Sequence, residues 1–550
     1  MSVRMRFSLL VVALLASLSL AAAASSEPDL SVLRAMPVQE GGRLKPLDTL
    51  AIESVRYITG KASFRKQDPL WTFLGWMADP DKASAEQVIE CRNLELKRRL
   101  GLEEGRRWFS LQELQQNPKL HDEQEAIHEK LRSNAELTPQ EKEVSQLLSR
   151  AQLLMMILTG ELVGAVPNPE RMDGEWGSLA ELRNSPHPRT PEAVESLAAL
   201  MVAVRANQAD PARSASEKLC AALAAMGPTP PASALQREVH FNHFHPFRWA
   251  WIFYAVGFFL LLFAPSSASP VYWLGLFPIV FGFSLHTYGF YLRCMIAGRP
   301  PVTNMYESVI WVSFGAMLFA LIFEAVYRSR IYVLAAAVGS VVTLVLADNL
   351  PAVLDPAIKP LTPVLRSNFW LTIHVLTITL SYAAFLLALV LGHMVVWQYV
   401  SGPDRKEQLK TLNQALYKAI QVGVLLLAAG TILGGVWANY SWGRFWGWDP
   451  KEVWALIALL GYLALLHARY AGWLRHFGLA AGSIVAFQGV LMAWYGVNFV
   501  LGVGLHSYGF GTGGVQYVAV FCGLELLFVG LAAWRHRQRT RVRRCDAGSA

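Results

Sequence analysis

From residue 247 onward the chain alternates long apolar runs with short polar ones. Nine runs approach or exceed the ~20 apolar residues that a bilayer crossing needs: 247–263, 271–292, 305–327, 331–347, 369–400, 416–437, 450–471, 477–500 and 515–534. The pattern predicts an all-α fold: a polytopic membrane helix bundle over 241–534, followed by a basic tail over 535–550. Residues 26–240 read differently. They hold no spanning run, and apolar positions recur at helical spacing in 84–100, 121–131 and 138–158. The runs GRRWFSLQEL and NAELTPQEKEV look like capped helix starts. This segment is a mostly helical domain, joined to the bundle by a Pro-rich linker, MGPTPPAS, at 226–233. Ahead of it, residues 1–24 carry Arg4 and Arg6, an apolar run and four alanines, which is the pattern of a signal peptide or an uncleaved anchor. Either form delivers the domain outside the cytoplasm.

Composition agrees with a membrane protein: 53% of the 550 residues are hydrophobic and 16% charged. The formal net charge is +8, but much of the excess lies in the tail RHRQRTRVRR, so it argues for topology and not for nucleic acid. With the first domain exported, nine spans leave the C-terminus inside. The loops that fall inside carry Arg328 and Arg330, then Arg405, Lys406 and Lys410, then Arg469 and Arg475, while the outer loop before the last span has no lysine or arginine. The five cysteines are scattered with no C-x-x-C, which argues against a thioredoxin-like pair or haem attached covalently to this chain. A bridge between Cys91 and Cys220 is compatible with an oxidising compartment.

The bundle is organised around WANYSWGRFWGWDPKEVW, residues 437–454, which holds five tryptophans in eighteen residues. Glycines between them let rings and backbone crowd together. Asp449 suits the cap of the next helix and Pro450 its first turn. The expected result is an aromatic shelf in an outer loop, denser than an ordinary interfacial belt. WGRFWGWDPKEVW resembles the "WWD" signature of the haem-handling membrane proteins of cytochrome c maturation. The chain is most similar to the CcsA (ResC) component of the System II cytochrome c synthase. The resemblance covers about 280–515 and, more weakly, 36–61.

Two histidines fall on the same outer face. His374 (T-I-H-V ahead of S-Y-A-A) is about one turn into its span, and His506 (G-L-H-S-Y) lies 132 residues later in a glycine-rich loop. Either one alone is compatible with a satisfied interfacial residue. Two imidazoles across a flat aromatic surface suit the axial positions of haem. The resemblance implies that His374 and His506 are the haem-iron ligands and that Trp442, Gly443, Trp446, Trp448 and Asp449 form the platform. His467 lies seventeen residues beyond Pro450, deep toward the inner leaflet. An ionisable group there is functional by default or snorkels beside Arg469. The resemblance implies a transmembrane haem ligand, partnered from a CcsB (ResB)-like subunit, for which this chain shows no matching region. His286 and His393 are internal alternatives, otherwise packed and hydrogen-bonded. His240, His243 and His245 cluster ahead of the first span, as an interfacial collar or a metal site. His121, His128 and His187 read as solvated surface. Asn304 suits a helix cap, and Glu307 calls for a partner near the outer face, with Arg299 in reach.

The function the resemblance implies is that of a haem-handling subunit of a cytochrome c synthase. Haem b, as cargo, is exported, held reduced at the outer shelf and presented for thioether formation with the CXXCH motif of apocytochrome c. The setting is the bacterial inner membrane, with the first domain and haem site external and the C-terminus cytoplasmic. No residue reads as a thiol-activating base. The alternatives are a haem carrier without ligation activity and a dihaem membrane electron-transfer protein. A solute transporter lacks support from broken-helix repeats or buried charge clusters.

Overall fold

The computed structural model describes residues 30–548 apart from 134, 136, 352, 362–366, 402–405 and 503–513. Two compact units divide the chain between His240 and Phe241.

The first unit is helical with two short antiparallel strand pairs. Pro37–Glu40 pairs antiparallel with Arg43–Pro46 across Gly41-Gly42, both at positive φ (59° and 77°), the conformation a tight hairpin turn needs. Leu47–Thr59 follows as a helix. The two capped starts form as read. Ser110 accepts from Glu113 N at the head of Leu111–Gln115, and Thr138 makes a reciprocal capping box with Glu141 at the head of Pro139–Thr159. The run at 84–100 is not one helix. Pro80–Ala85 ends, Ile89–Glu90 pairs with Trp108–Phe109, and Asn93 caps a new helix, Leu94–Leu100. The apolar spacing suited a helix, but a cap-forming Asn in mid-run offers its side chain to the backbone and restarts the helix there. Arg34 joins Asp48 (2.7 Å) and Asp68 (2.8 Å), and Arg43 grips Glu238 through both guanidinium nitrogens. Cys91 and Cys220 are thiols, not a bridge. Burial pushes the Cys91 thiol up and that of Cys220 up to about 12, so neither is a thiolate at neutral pH. His121 and His128 are exposed, and the half-buried His187 accepts from Arg189 N.

Among the described residues, nine helices are long and apolar enough to cross a membrane. In the second unit we label them α1 (Pro246–Leu262), α2 (Pro270–Ala297), α3 (Met305–Tyr327), α4 (Ile331–Asn349), α5 (Leu376–Ser401), α6 (Lys406–Trp442), α7 (Pro450–Tyr470), α8 (His476–Leu491) and α9 (Val515–Gly548). A helix over Ala232–Phe244 leads into α1 through His245, whose φ is +49°. The histidines of 240–245 thus lie on one helix end and its junction. Among the described residues no group of three metal-binding side chains gathers. The basic tail does not leave the last helix, because α9 continues through it.

Two helices carry irregular turns. α5 is entered through a π-helical turn, Leu371–Val375, and α8 is prolonged by a π-helical stretch, Met492–Leu501. Glycines set how closely α5 and α6 approach. A Cβ at Gly423 would lie 2.5 Å from the Phe385 ring, and one at Gly430 would lie 2.9 Å from Ile378. Phe385 in turn stacks on Tyr462 of α7 at 3.9 Å between centroids. Small residues at crossing points are the usual means of close helix packing where lipid gives no hydrophobic drive.

Candidate functional site

The close approach of α5 and α6 opens a cavity at one end of the bundle. Its empty space, counted to the mouth, is about 1140 Å³, and α3, α5, α6, the loop after α6, α7 and the π stretch after α8 all contribute to its wall. His374, Trp437, Trp442, Trp446 and Trp494 supply aromatic surface. This is the lining of a ligand pocket.

His374 stands on the π turn. The Gly430 carbonyl accepts a hydrogen bond from its Nδ1 at 2.9 Å. A carbonyl can only accept, so Nδ1 carries the proton and the lone pair lies on Nε2. Metal-binding imidazoles are commonly oriented this way, by a backbone acceptor on the second nitrogen. Gly434 makes the seat: a Cβ there would come 2.6 Å from His374 Cε1. Trp437 meets the imidazole edge-on at 5.6 Å and stacks parallel on Trp370. A side-chain turn that π geometry has shifted is frequent at functional sites.

The tryptophan signature is not one loop. No breaker precedes Gly443 (φ +70°), so α6 runs on through Trp437 and Trp442. Trp446 and Trp448 are in the loop, and Trp454 is on α7. Trp442 and Trp446 face the cavity. Trp448 does not: it is 71% exposed at φ +57°, edge-on to Trp446. A bulky residue in the left-handed region is uncommon and costs backbone strain. Gly443 and Asp449 do not line the cavity either. Asp449 caps α7, accepting from Lys451 N at 3.0 Å, and Glu452 answers by accepting from Asp449 N and Gly447 N. The Asp-Pro pair thus starts α7 as its sequence suggests.

Glu307 is fully buried, and its partner is Arg293 (2.8 Å), not Arg299. Glu307 also accepts from Thr303 N and Oγ1, while Arg299 donates to the Lys359 carbonyl. Arg293 lies on α2, facing α3 inside the protein, whereas Arg299 is past the helix end. Asn304 caps α3, accepting from Glu307 N. This network holds the stretch from Thr303 to Ser308 that forms one cavity wall.

The other histidines separate. His286 is wholly buried, with Nδ1 at 3.2 Å from the Tyr254 hydroxyl and Nε2 at 3.2 Å from the Ile310 carbonyl. His393 places Nδ1 on the Leu389 carbonyl and Nε2 at 2.7 Å from Glu525. Both rings have both nitrogens engaged, so neither is poised for iron. His467 is in the last turn of α7, remote in sequence from the cavity-lining first turn, with an exposed side chain and Nδ1 on the Leu463 carbonyl. His506 lies outside the described residues. Trp437, Trp494, Lys451 and Asn498 are cavity residues beyond those proposed from sequence. Trp437 belonged to the visible tryptophan run, and Lys451 directly follows Asp449-Pro450. Trp494 and Asn498 carry no local signal.

Together the fold and the cavity define a polytopic helical membrane protein with an aromatic, histidine-bearing ligand pocket. Known proteins give the family. A profile described as Cytochrome C assembly protein matches residues 302–506, which includes most of the cavity wall. Cytochrome c biogenesis protein CcsA of Prochlorococcus marinus is 37% identical over 253 residues, 40% of this chain and 79% of that protein. CcsA of a Synechococcus species is 37% identical over 253 residues, 40% of this chain and 81% of its own length. Protein NrfI of Wolinella succinogenes is 30% identical over 492 residues, 85% of this chain and 53% of NrfI. This chain thus spans about half the length of that relative, and the match extends into the first unit. The chain belongs to the CcsA family of cytochrome c biogenesis proteins.

Proposed function

We propose that this protein takes haem b as cargo and holds it in the tryptophan-walled cavity for attachment to apocytochrome c. His374 serves as one axial ligand and His506 as the other. The single observation that carries this reading is the imidazole of His374 on the wall of an aromatic cavity, with its Nδ1 proton given to the Gly430 carbonyl, so that the ring lone pair is on Nε2. The residues fit such a cargo. Gly434 leaves room for the imidazole, Trp437, Trp442 and Trp446 offer flat surfaces, and buried polar atoms on the wall, Trp446 Nε1 and Asn498 Oδ1, have no partner among the described residues.

The role of the chain is positional. A thiol of the CXXCH motif adds across a vinyl group: a C–S bond forms at the vinyl carbon beside the ring, and the thiol hydrogen ends on the terminal carbon, with no electrons exchanged. His374 and His506 keep the cargo in place until the histidine of CXXCH displaces one of them. Holding the partners in register can supply much of the acceleration. His467, exposed on α7, fits a second, inner haem position completed by a ResB-like subunit. The cavity and the first unit face the outside of the bacterial inner membrane, and the C-terminus faces the cytoplasm.

The test is the absorption spectrum of the dithionite-reduced protein, co-expressed with a ResB-like partner, with haem counted per chain. Wild type should show sharp bis-histidine bands that weaken or vanish in His374→Ala and His506→Ala. A wild type without haem under those conditions would overturn the reading. A haem-loaded protein that never yields attached cytochrome would leave it a carrier.

A further inference from the structure

Lys451 is the one lysine or arginine on the cavity wall among the described residues. It stands in the first turn of α7, half-buried, among aromatic and aliphatic neighbours. A lysine at a membrane surface ordinarily snorkels to water. This one faces the cavity, and it makes no ion pair among the described residues. The Glu452 carboxylate, also on the wall, is turned to the backbone, where it accepts from Gly447 N (2.8 Å) and Asp449 N (3.2 Å). Asp449 uses Oδ1 to cap the helix. The Asp449 charge still acts on the ammonium, and a carboxylate in direct contact would stabilise it further.

Two further observations point the same way. The indole Nε1–H of Trp446, also on the wall, is a buried donor with no acceptor. Unmet buried polar groups are rare and call for a reason. The α7 N-terminus adds its own positive end.

Resting on the haem reading above, we infer that Lys451, with Trp446 Nε1–H, is a carboxylate clamp that takes a propionate of the porphyrin and so fixes which edge of the ring enters the cavity. The carboxylates of haem lie on the edge opposite its vinyl groups. A ring pinned at α7 by its acid edge turns the vinyl edge the other way, toward an incoming thiol. Lysine acts here as a point charge and the indole as a directional donor.

The probes are metal-free protoporphyrin IX and its dimethyl ester, which has the same ring and vinyls but no anionic carboxylate. Binding is followed by porphyrin fluorescence anisotropy with the full-length protein in nanodiscs, against empty nanodiscs. Wild type should bind the diacid at least about tenfold more tightly than the ester, the scale of a single charge-assisted contact. Lys451→Met should bring the two affinities within about twofold by weakening only the diacid, and Lys451→Arg should keep the preference. Unchanged affinity for the ester reports that Lys451→Met is folded. An undiminished diacid preference in Lys451→Met overturns the clamp. Equal wild-type affinity for both porphyrins also overturns it, yet leaves the cavity as a porphyrin site. If wild type binds neither, the haem reading falls and the clamp with it.

Discussion

His286 and His374 are both imidazoles set among aromatic rings on membrane helices, yet their immediate settings differ. His286 is stacked on Phe290 at 5.3 Å and edged by Phe247 and Phe314, with Tyr254 and the Ile310 carbonyl taking its two nitrogens. It is a core residue that happens to be polar. His374 keeps similar aromatic company in Trp437, but a glycine opens space beside its ring, it stands on a π turn, and the Gly430 carbonyl takes its Nδ1. Residue type and aromatic surroundings are therefore alike at the two positions. The space at the ring edge and the turn of backbone that carries the ring are what differ.

The sharpest way to break this comparison is to delete each ring. His374→Ala should lower haem per chain by roughly a hundredfold, since even outer partners of ligating imidazoles are worth about 10–100-fold, while the thermal midpoint in detergent barely moves. His286→Ala should behave in reverse. It leaves a cavity and strands the Tyr254 hydroxyl and Ile310 carbonyl, at a cost of about 2–4 kcal/mol, and the folded fraction should keep its haem. A His286→Ala protein that is fully stable but haem-free would refute the assignment. Next in size is Gly434→Ala, whose Cβ would press on His374 Cε1. Retained haem should fall about tenfold, the cost of a misplaced ligand, and the same change at the open position Gly461 should have no such effect. The smallest effect concerns the shelf itself. Trp448 is largely exposed, so Trp448→Ala should change haem content less than about twofold, whereas Trp446→Ala should reduce it more. Equal losses would mean that Trp448 turns inward when cargo binds.

Much of the architecture could be read along the chain. Apolar runs mark the spans, and Asp449-Pro450-x-Glu452 and Thr138-x-x-Glu141 mark helix starts. These signals act within a turn or two of backbone, so neighbouring residues suffice to encode them. The Gly41-Gly42 hairpin was equally local and is a signal that helical periodicity alone passes over. The partner of Glu307 was harder, because Arg299 is nearer in sequence while Arg293 is the residue that α2 turns toward α3.

What the sequence by itself determined is which segments become helices, where they begin and which residues can bind a metal or stack on a ring, since those properties follow from side-chain chemistry and short-range hydrogen bonds. Only the tertiary structure decided that Lys451, Trp494 and Asn498 share a cavity with His374, that Trp448 turns away from it, and that His286 and His393 have both nitrogens engaged. Those outcomes depend on the rotation of each helix about its axis, on π turns that shift it, and on how closely glycines let α5 and α6 meet. They are set by contacts between residues dozens to more than a hundred positions apart, and no short stretch of chain carries them.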